Sequence, residues 1–169
     1  MNREGMTRRR DILGRLIVLA ICIAVPILVG AAGSLVTRSA VETWYPTIEK
    51  PWFTPPGWLF GPVWTALYIL MGVAAYLVWR KGWVRSTVRV GLRWFLIQLV
   101  LNALWSPAFF GLRSPVAGLI VIVPLVLAIL RTLLVFRRVS AVAAWLLSPY
   151  LAWTSFATVL NISIVVLNW

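Results

Sequence analysis

Residues 44–72 read WYPTIEKPWFTPPGWLFGPVWTALYILMG, and the change of character along this stretch decides the fold. In its first half Pro51, Pro55 and Pro56 remove backbone donors and fix φ, so the segment is stiff without being helical. Pro55-Pro56 stand where a helix would begin, because a missing N–H costs little in a first turn. The second half is an unbroken apolar run. Four of the eleven tryptophans, Trp44, Trp52, Trp58 and Trp64, lie in this stretch. A rigid aromatic loop feeding directly into a hydrophobic helix predicts a lid over a site.

Composition places that helix in a bilayer. Hydrophobic residues make up 62% of the 169-residue chain and charged residues 12%, with a mean hydropathy of +0.92. Soluble domains are roughly half apolar, and so few charges do not solvate a globular surface of this size. The net charge of +12 would suggest nucleic acid in a soluble protein. Here the basic residues fall in short segments between apolar runs, which is the signature of membrane topology, and no nucleic-acid partner is expected.

Working outward, five spans are predicted, at about 16–36, 58–79, 91–110, 116–136 and 141–167. Residues 1–15 form a basic N-terminal segment and 38–57 the lid loop. The fold class is therefore an all-α integral membrane protein, a five-helix bundle in one domain over 16–169. The first run follows Arg3, Arg8, Arg9, Arg10 and Arg15 as a signal peptide would, with Arg9-Arg10-Asp11 resembling a twin-arginine signal. At about twenty residues it exceeds a signal core and suffices to span, so it is read as a retained helix. Its Gly30-Ala31-Ala32-Gly33-Ser34 segment has almost no side chains, which permits close helix packing or leaves room for a ligand.

Thirteen of the sixteen Lys and Arg residues fall on one side: the five at the N-terminus, then Arg80, Lys81, Arg85, Arg89, Arg93, Arg131, Arg137 and Arg138. Arg38, Lys50 and Arg113 fall on the other. The N-terminus is expected in the cytoplasm and the lid and C-terminus outside, in a bacterial cytoplasmic membrane. Most tryptophans then sit in interfacial belts.

Two escape the belts. Trp64 lies about 9 Å along helix 2 at 1.5 Å per residue, heading a stripe with Tyr68 and Met71. Trp153 lies near the middle of helix 5, on a stripe with Pro149, Phe156, Ala157 and Leu160. A Trp N–H wants a partner away from lipid, which points both rings into the bundle. On helix 3, Gln98, Asn102, Trp105 and Phe109 share a face. Amides in a span are costly unless they face the interior, as interhelical hydrogen bonds or as ligand contacts. Lid, helix 1, Trp64, Asn102 and helix 5 together predict an aromatic, nearly uncharged pocket.

Classical catalysis has little material. The carboxylates Glu4, Asp11, Glu42 and Glu49 lie outside the predicted spans, and the sequence contains no histidine. That absence removes the usual metal ligand, haem ligand and neutral-pH base together. No metal and no cofactor are expected. The single cysteine, Cys22, reads as a buried thiol. Gly57-x-x-x-Gly61 has helix-dimer spacing but opens a helix beside prolines.

The 44–72 stretch resembles the TspO/translocator protein family of tryptophan-rich sensory proteins, also called peripheral-type benzodiazepine receptors. The stretches LNALWSPAFFG (101–111) and WLLSPYLAWTSFATVLN (145–161) are similar to it too. The resemblance implies a five-helix bundle, usually a homodimer, that binds tetrapyrroles such as protoporphyrin IX and, in some members, sterols. It implies a pocket lined by Tyr45, Trp64, Asn102, Trp153 and Ala157, with Trp64 and Trp153 linked to light-dependent porphyrin breakdown. Together with the residues above, the expected ligand-binding set is Tyr45, Trp52, Trp64, Tyr68, Asn102, Trp105, Trp153, Phe156 and Ala157, and Trp64 and Trp153 are also the catalytic candidates. The expected role is a membrane receptor or sensor for porphyrins, with photo-oxidative degradation or transport of the ligand as alternatives. Ile48 and Phe53 depart from the family pattern conservatively. The family's sterol segment needs Tyr followed by a basic residue, and residues 161–167, NISIVVL, have neither. Free porphyrin is favoured over haem, because a flat ring stacks on Trp and Tyr whereas haem iron lacks a histidine ligand.

Overall fold

The computed structural model describes the backbone of residues 3–169 and the side chains of residues 11–35 and 37–169. The arginines expected at positions 3 and 8–10 lie outside the described side chains. Five long helices make up the chain: α1 (Arg3–Thr43), α2 (Gly57–Trp79), α3 (Ser86–Ser106), α4 (Pro115–Val139) and α5 (Ala141–Leu167). Each contains a segment long and apolar enough to cross a membrane. A 25-residue helix such as α4 is about 37 Å long, against about 30 Å of hydrocarbon.

The helices close into a ring in the order α1, α2, α5, α4, α3. Sequential neighbours run antiparallel where they touch: Gly72 meets Cys22 and Ile23 of α1, and Gly91 meets Val135 and Phe136 of α4. The helices that close the ring, α1 and α3, run parallel, with Gly33 and Ser106 meeting toward their C-terminal ends. A Cβ at Gly72 would stand 2.5 Å from the Ile23 Cα, so here α1 and α2 touch backbone to backbone. That is the close approach small residues allow in a membrane, where there is little hydrophobic force between helices. The core is filled by Met71, Ile129, Phe136, Leu147 and Tyr150, with Phe95 stacked on Phe136 at 6.2 Å. Met71 is fully buried there, so the lower end of the Trp64 stripe is packing. Ser114 and Ser140 cap α4 and α5 by accepting from the N–H groups of Ala117 and Ala143.

The first and third spans differ from expectation, and α1 already begins at Arg3, ahead of the predicted 16. The first span, expected at 16–36, continues as helix to Thr43, so the lid is shorter than 38–57 and runs 44–56. Nothing from 37 to 43 breaks a helix, and Arg38 and Glu42 pair across one turn at 3.6 Å. Pro46 then stops the α-helix, and residues Tyr45–Thr47 form one 3-10 turn. The third span, expected at 91–110, starts earlier at Ser86 and ends in a π turn over Pro107–Gly111. Pro107 has no N–H to continue the α pattern, and the Leu112 and Ser114 amides reach back five residues to Pro107 and Phe109. Arg113, at φ 49°, then turns the chain into α4.

Candidate functional site

Beneath the lid, α1, α2, α3 and α5 line a half-open cavity of about 590 Å³. Its walls follow from which residues are small and which are aromatic. Gly30 of α1 carries no Cβ because the Tyr68 ring lies where one would be. Gly33 borders the cavity and brings α1 close to α3, where a Cβ would stand 3.6 Å from the Ser106 side chain. The glycine-rich segment thus both seats a neighbour and borders the chamber. Ser106 Oγ is hydrogen-bonded to Thr37 Oγ1 and donates to the Gly33 carbonyl oxygen at 3.2 Å, tying α1 to α3 along one wall.

The opposite wall is Trp64, stacked on Tyr68 at 5.3 Å and 30° and edge-on to Tyr150 at 6.1 Å. Below it the Tyr68 hydroxyl donates to Asn102 Oδ1 at 3.0 Å, and Asn102 Nδ2 donates to the Tyr150 hydroxyl at 3.1 Å. Asn102 is 6% exposed and Tyr150 fully buried. The amide that looked costly in a span is the hub of a bridge joining α2, α3 and α5, and it lines the cavity as well. Gln98, one turn further along α3, is 1% exposed, and neither of its polar atoms has a partner among the described residues.

Nearer the lid, Trp105 stacks on Phe109 at 5.6 Å, and its buried indole N–H has no acceptor among the described residues. Asn161 donates through Nδ2 to the Pro115 carbonyl oxygen at 2.8 Å and leaves Oδ1 unpartnered. Tyr45 closes the top, tilted against Phe110 at 5.7 Å, and its burial raises the phenol pKa. Lys50 Nζ donates to the carbonyl oxygens of Tyr45 and Ile48 at 2.7 and 2.8 Å, so this cation braces the lid. A second fastening holds the lid to the end of α5: Asn168 Oδ1 accepts from Glu49 N at 3.0 Å, and Asn168 Nδ2 donates to the Glu49 carbonyl oxygen at 2.9 Å. Among the described residues, the ionised side chains on the cavity wall are Arg38 and Glu42.

Of the nine residues expected to bind ligand, Tyr45, Trp64, Tyr68, Asn102, Trp105 and Ala157 line this cavity; Trp52, Trp153 and Phe156 do not. Trp52 is 95% exposed on the lid, edge-on to Phe53. Phe156 packs under Phe53, joining lid to α5. Trp153 packs edge-on against Phe60 at 5.8 Å, and Phe60 rather than Trp153 reaches the chamber. Of the two indoles expected to clamp one ring, Trp64 lines the cavity and Trp153 does not, because side-chain direction and a bulky neighbour, not helical spacing alone, set where an indole points. Tyr150 and Asn161 were not among the expected residues. The signal for Asn161 was the one that exposed Asn102, an amide inside an apolar run. No group of His, Cys, Asp or Glu suited to a metal ion occurs among the described residues.

Comparison with known proteins agrees with this architecture. The sequence model of the TspO/MBR family matches residues 22–167. The tryptophan-rich protein TspO of Chlorobaculum tepidum is 49% identical over 154 residues, covering 91% of this chain and 98% of that protein. The tryptophan-rich protein TspO of Archaeoglobus fulgidus is 48% identical over 83% of this chain and 90% of its own length. The human translocator protein is 42% identical over 120 residues, 70% of each chain.

Proposed function

The chain belongs to the TspO/MBR family of membrane proteins, and from that premise we propose that it is a receptor or sensor whose lidded chamber binds a porphyrin-type tetrapyrrole. The observation that carries the reading is the distribution of polarity. Aromatic and small apolar residues make up most of the wall, Asn102 and the Trp105 N–H offer polar contacts, and the charged pair Arg38–Glu42 stands at the end of α1 next to the lid. A flat apolar ring with carboxylates along one edge matches that distribution. The ring lies against Trp64, and Arg38 exchanges Glu42 for a propionate. A volume of about 590 Å³ falls within the roughly 300–1,000 Å³ of small-molecule sites.

The test compares tryptophan quenching by protoporphyrin IX and by its dimethyl ester in detergent. The free acid binds more tightly, and Arg38→Gln removes that preference while leaving ester binding unchanged. Equal affinity for both ligands in the unaltered protein would contradict the assignment of the carboxylate edge to Arg38.

The Trp64–Tyr68 stack favours one further reading, light-driven porphyrin oxidation in which dioxygen is the oxidant, both its atoms adding across the ring bond that breaks, and Trp64 holds the excited ring in place. Product formed under light by the unaltered protein and not by Trp64→Phe separates it from binding alone. We further propose that the arginine-rich end faces the cytoplasm and that the chain pairs as a homodimer.

A further inference from the structure

The end of the bundle opposite the lid carries eight cations on α2 to α4 and their connections, from Arg80 to Arg138, and beyond Glu49 the sequence contains no Asp or Glu at all. Among the described residues the one ion pair is Arg38–Glu42, at the other end. Topology explains basic loops, and the negative end of the helix dipole explains Arg137 and Arg138 in the last turn of α4. Neither explains Arg131. It lies eight residues before Val139, about 12 Å along the axis at 1.5 Å per residue, inside the apolar span.

Arg131, Leu134 and Arg138 recur at i, i+3 and i+7, on one face of α4, and all three are exposed. With Val135 and Arg137 they surround a concavity of about 290 Å³. Val135 is buried behind it, over Gly91 of α3. The three guanidinium groups make no hydrogen bond or ion pair with any described residue, whereas Arg89 on α3 spends its own on the Trp83 and Val84 carbonyl oxygens. The face continues toward the lid as an exposed apolar stripe, Ile120, Val123, Leu127 and Leu130. An arginine at this depth extends its stem along apolar surface toward the polar boundary, and its fork matches phosphate geometry.

We propose that Arg131 and Arg138, flanking Leu134 and supported by Arg137, hold the phosphodiester of an anionic membrane phospholipid whose acyl chain lies along the Ile120–Leu130 stripe. The ligand class follows from two features together. The unneutralised guanidinium cluster attracts an anion, and the apolar track leading from it favours an anion that carries a hydrocarbon chain. This site is on the outer face of α4 and does not depend on what the lidded chamber binds.

The experiment is native mass spectrometry of the full chain, released from detergent with phosphatidylglycerol, phosphatidylcholine or inorganic phosphate. Phosphatidylglycerol is retained in preference to phosphatidylcholine, and inorganic phosphate does not compete for it. Arg131→Leu, which extends the apolar stripe and so does not threaten the fold, weakens retention about fivefold, and Arg131→Leu/Arg138→Gln weakens it about twenty-five-fold. Arg80→Gln/Arg85→Gln removes the same charge from the same end and leaves retention within about twofold of the unaltered protein, since those side chains are not on α4. Equal loss in the two double variants would reduce the site to a diffuse field and overturn the proposal. Displacement by inorganic phosphate, or equal retention of the two lipids, would overturn it as well. Should the α4 double variant fail to fold, Arg131→Leu alone decides: unchanged phosphatidylglycerol preference in it refutes the assignment.

Discussion

Replacing Asn102 by leucine tests whether its amide holds three helices together or merely occupies space. In the folded protein the amide accepts from Tyr68 and donates to Tyr150, at 3.0 and 3.1 Å. Leucine keeps the volume and removes both bonds. Interhelical hydrogen bonds within a membrane average about 0.6 kcal/mol each, giving roughly 1 kcal/mol for the pair. More is lost through the group left behind: the Tyr150 hydroxyl, fully buried, is stranded without its partner, at about 1–3 kcal/mol. Tyr68 is only partly buried and lines the cavity, so its hydroxyl relaxes toward the chamber at smaller cost. The sum is about 2–4 kcal/mol, or roughly 4–16 °C in Tm for a chain of this length. Thermal unfolding in detergent, followed by circular dichroism, measures it. A double-mutant cycle sharpens the result, because Tyr68→Phe costs stability in the unaltered protein and nothing in the Asn102→Leu background. A Tm unchanged within about 1 °C, or strictly additive losses in the cycle, would refute the bridge.

The α1–α2 contact predicts that Gly72→Ala lowers stability by about 1–3 kcal/mol, since its Cβ meets α1 backbone, whereas Gly14→Ala, with nothing within 4 Å, is neutral or slightly stabilising; chemical unfolding of the two variants checks the contrast. Asn168→Ala removes both bonds to Glu49, so the Glu49 amide should exchange with deuterium about five- to thirtyfold faster, and an unchanged rate would mean the lid is held elsewhere. Trp105→Phe should leave the Tm of the ligand-free protein nearly unchanged, because deleting an unpartnered buried N–H offsets the lost ring area, while weakening porphyrin binding several-fold in a quenching titration.

The bundle was legible because its signals are redundant: long apolar runs, proline or serine at helix starts, and arginines at one set of ends all give the same five spans. The continuation of α1 to Thr43 was not, because Arg38 and Glu42 lower the hydropathy of a segment that their one-turn pairing keeps helical. The π turn at Pro107 follows from a missing donor, yet a proline in sequence equally announces a simple helix end. In the site, Trp64 and Asn102 stood out as an indole and an amide where only apolar side chains are inexpensive. Trp153 stands out for the same reason, and its spacing alone puts it in the same chamber, but its ring packs edge-on against Phe60 across the interface, which no spacing rule records. Tyr150 was hidden inside an apolar run, where only the position of Asn102 gives its hydroxyl a purpose.

Titration of protoporphyrin IX into the single variants Trp64→Ala and Trp153→Ala measures whether the chamber is walled by Trp64, with Trp153 outside its lining. Loss of a stacked indole should weaken binding by about tenfold or more for Trp64→Ala, and Trp153→Ala should stay within about threefold of the unaltered protein. Undiminished affinity in Trp64→Ala, or an equal loss in both, would mean that Trp64 does not form the wall on which the ring lies.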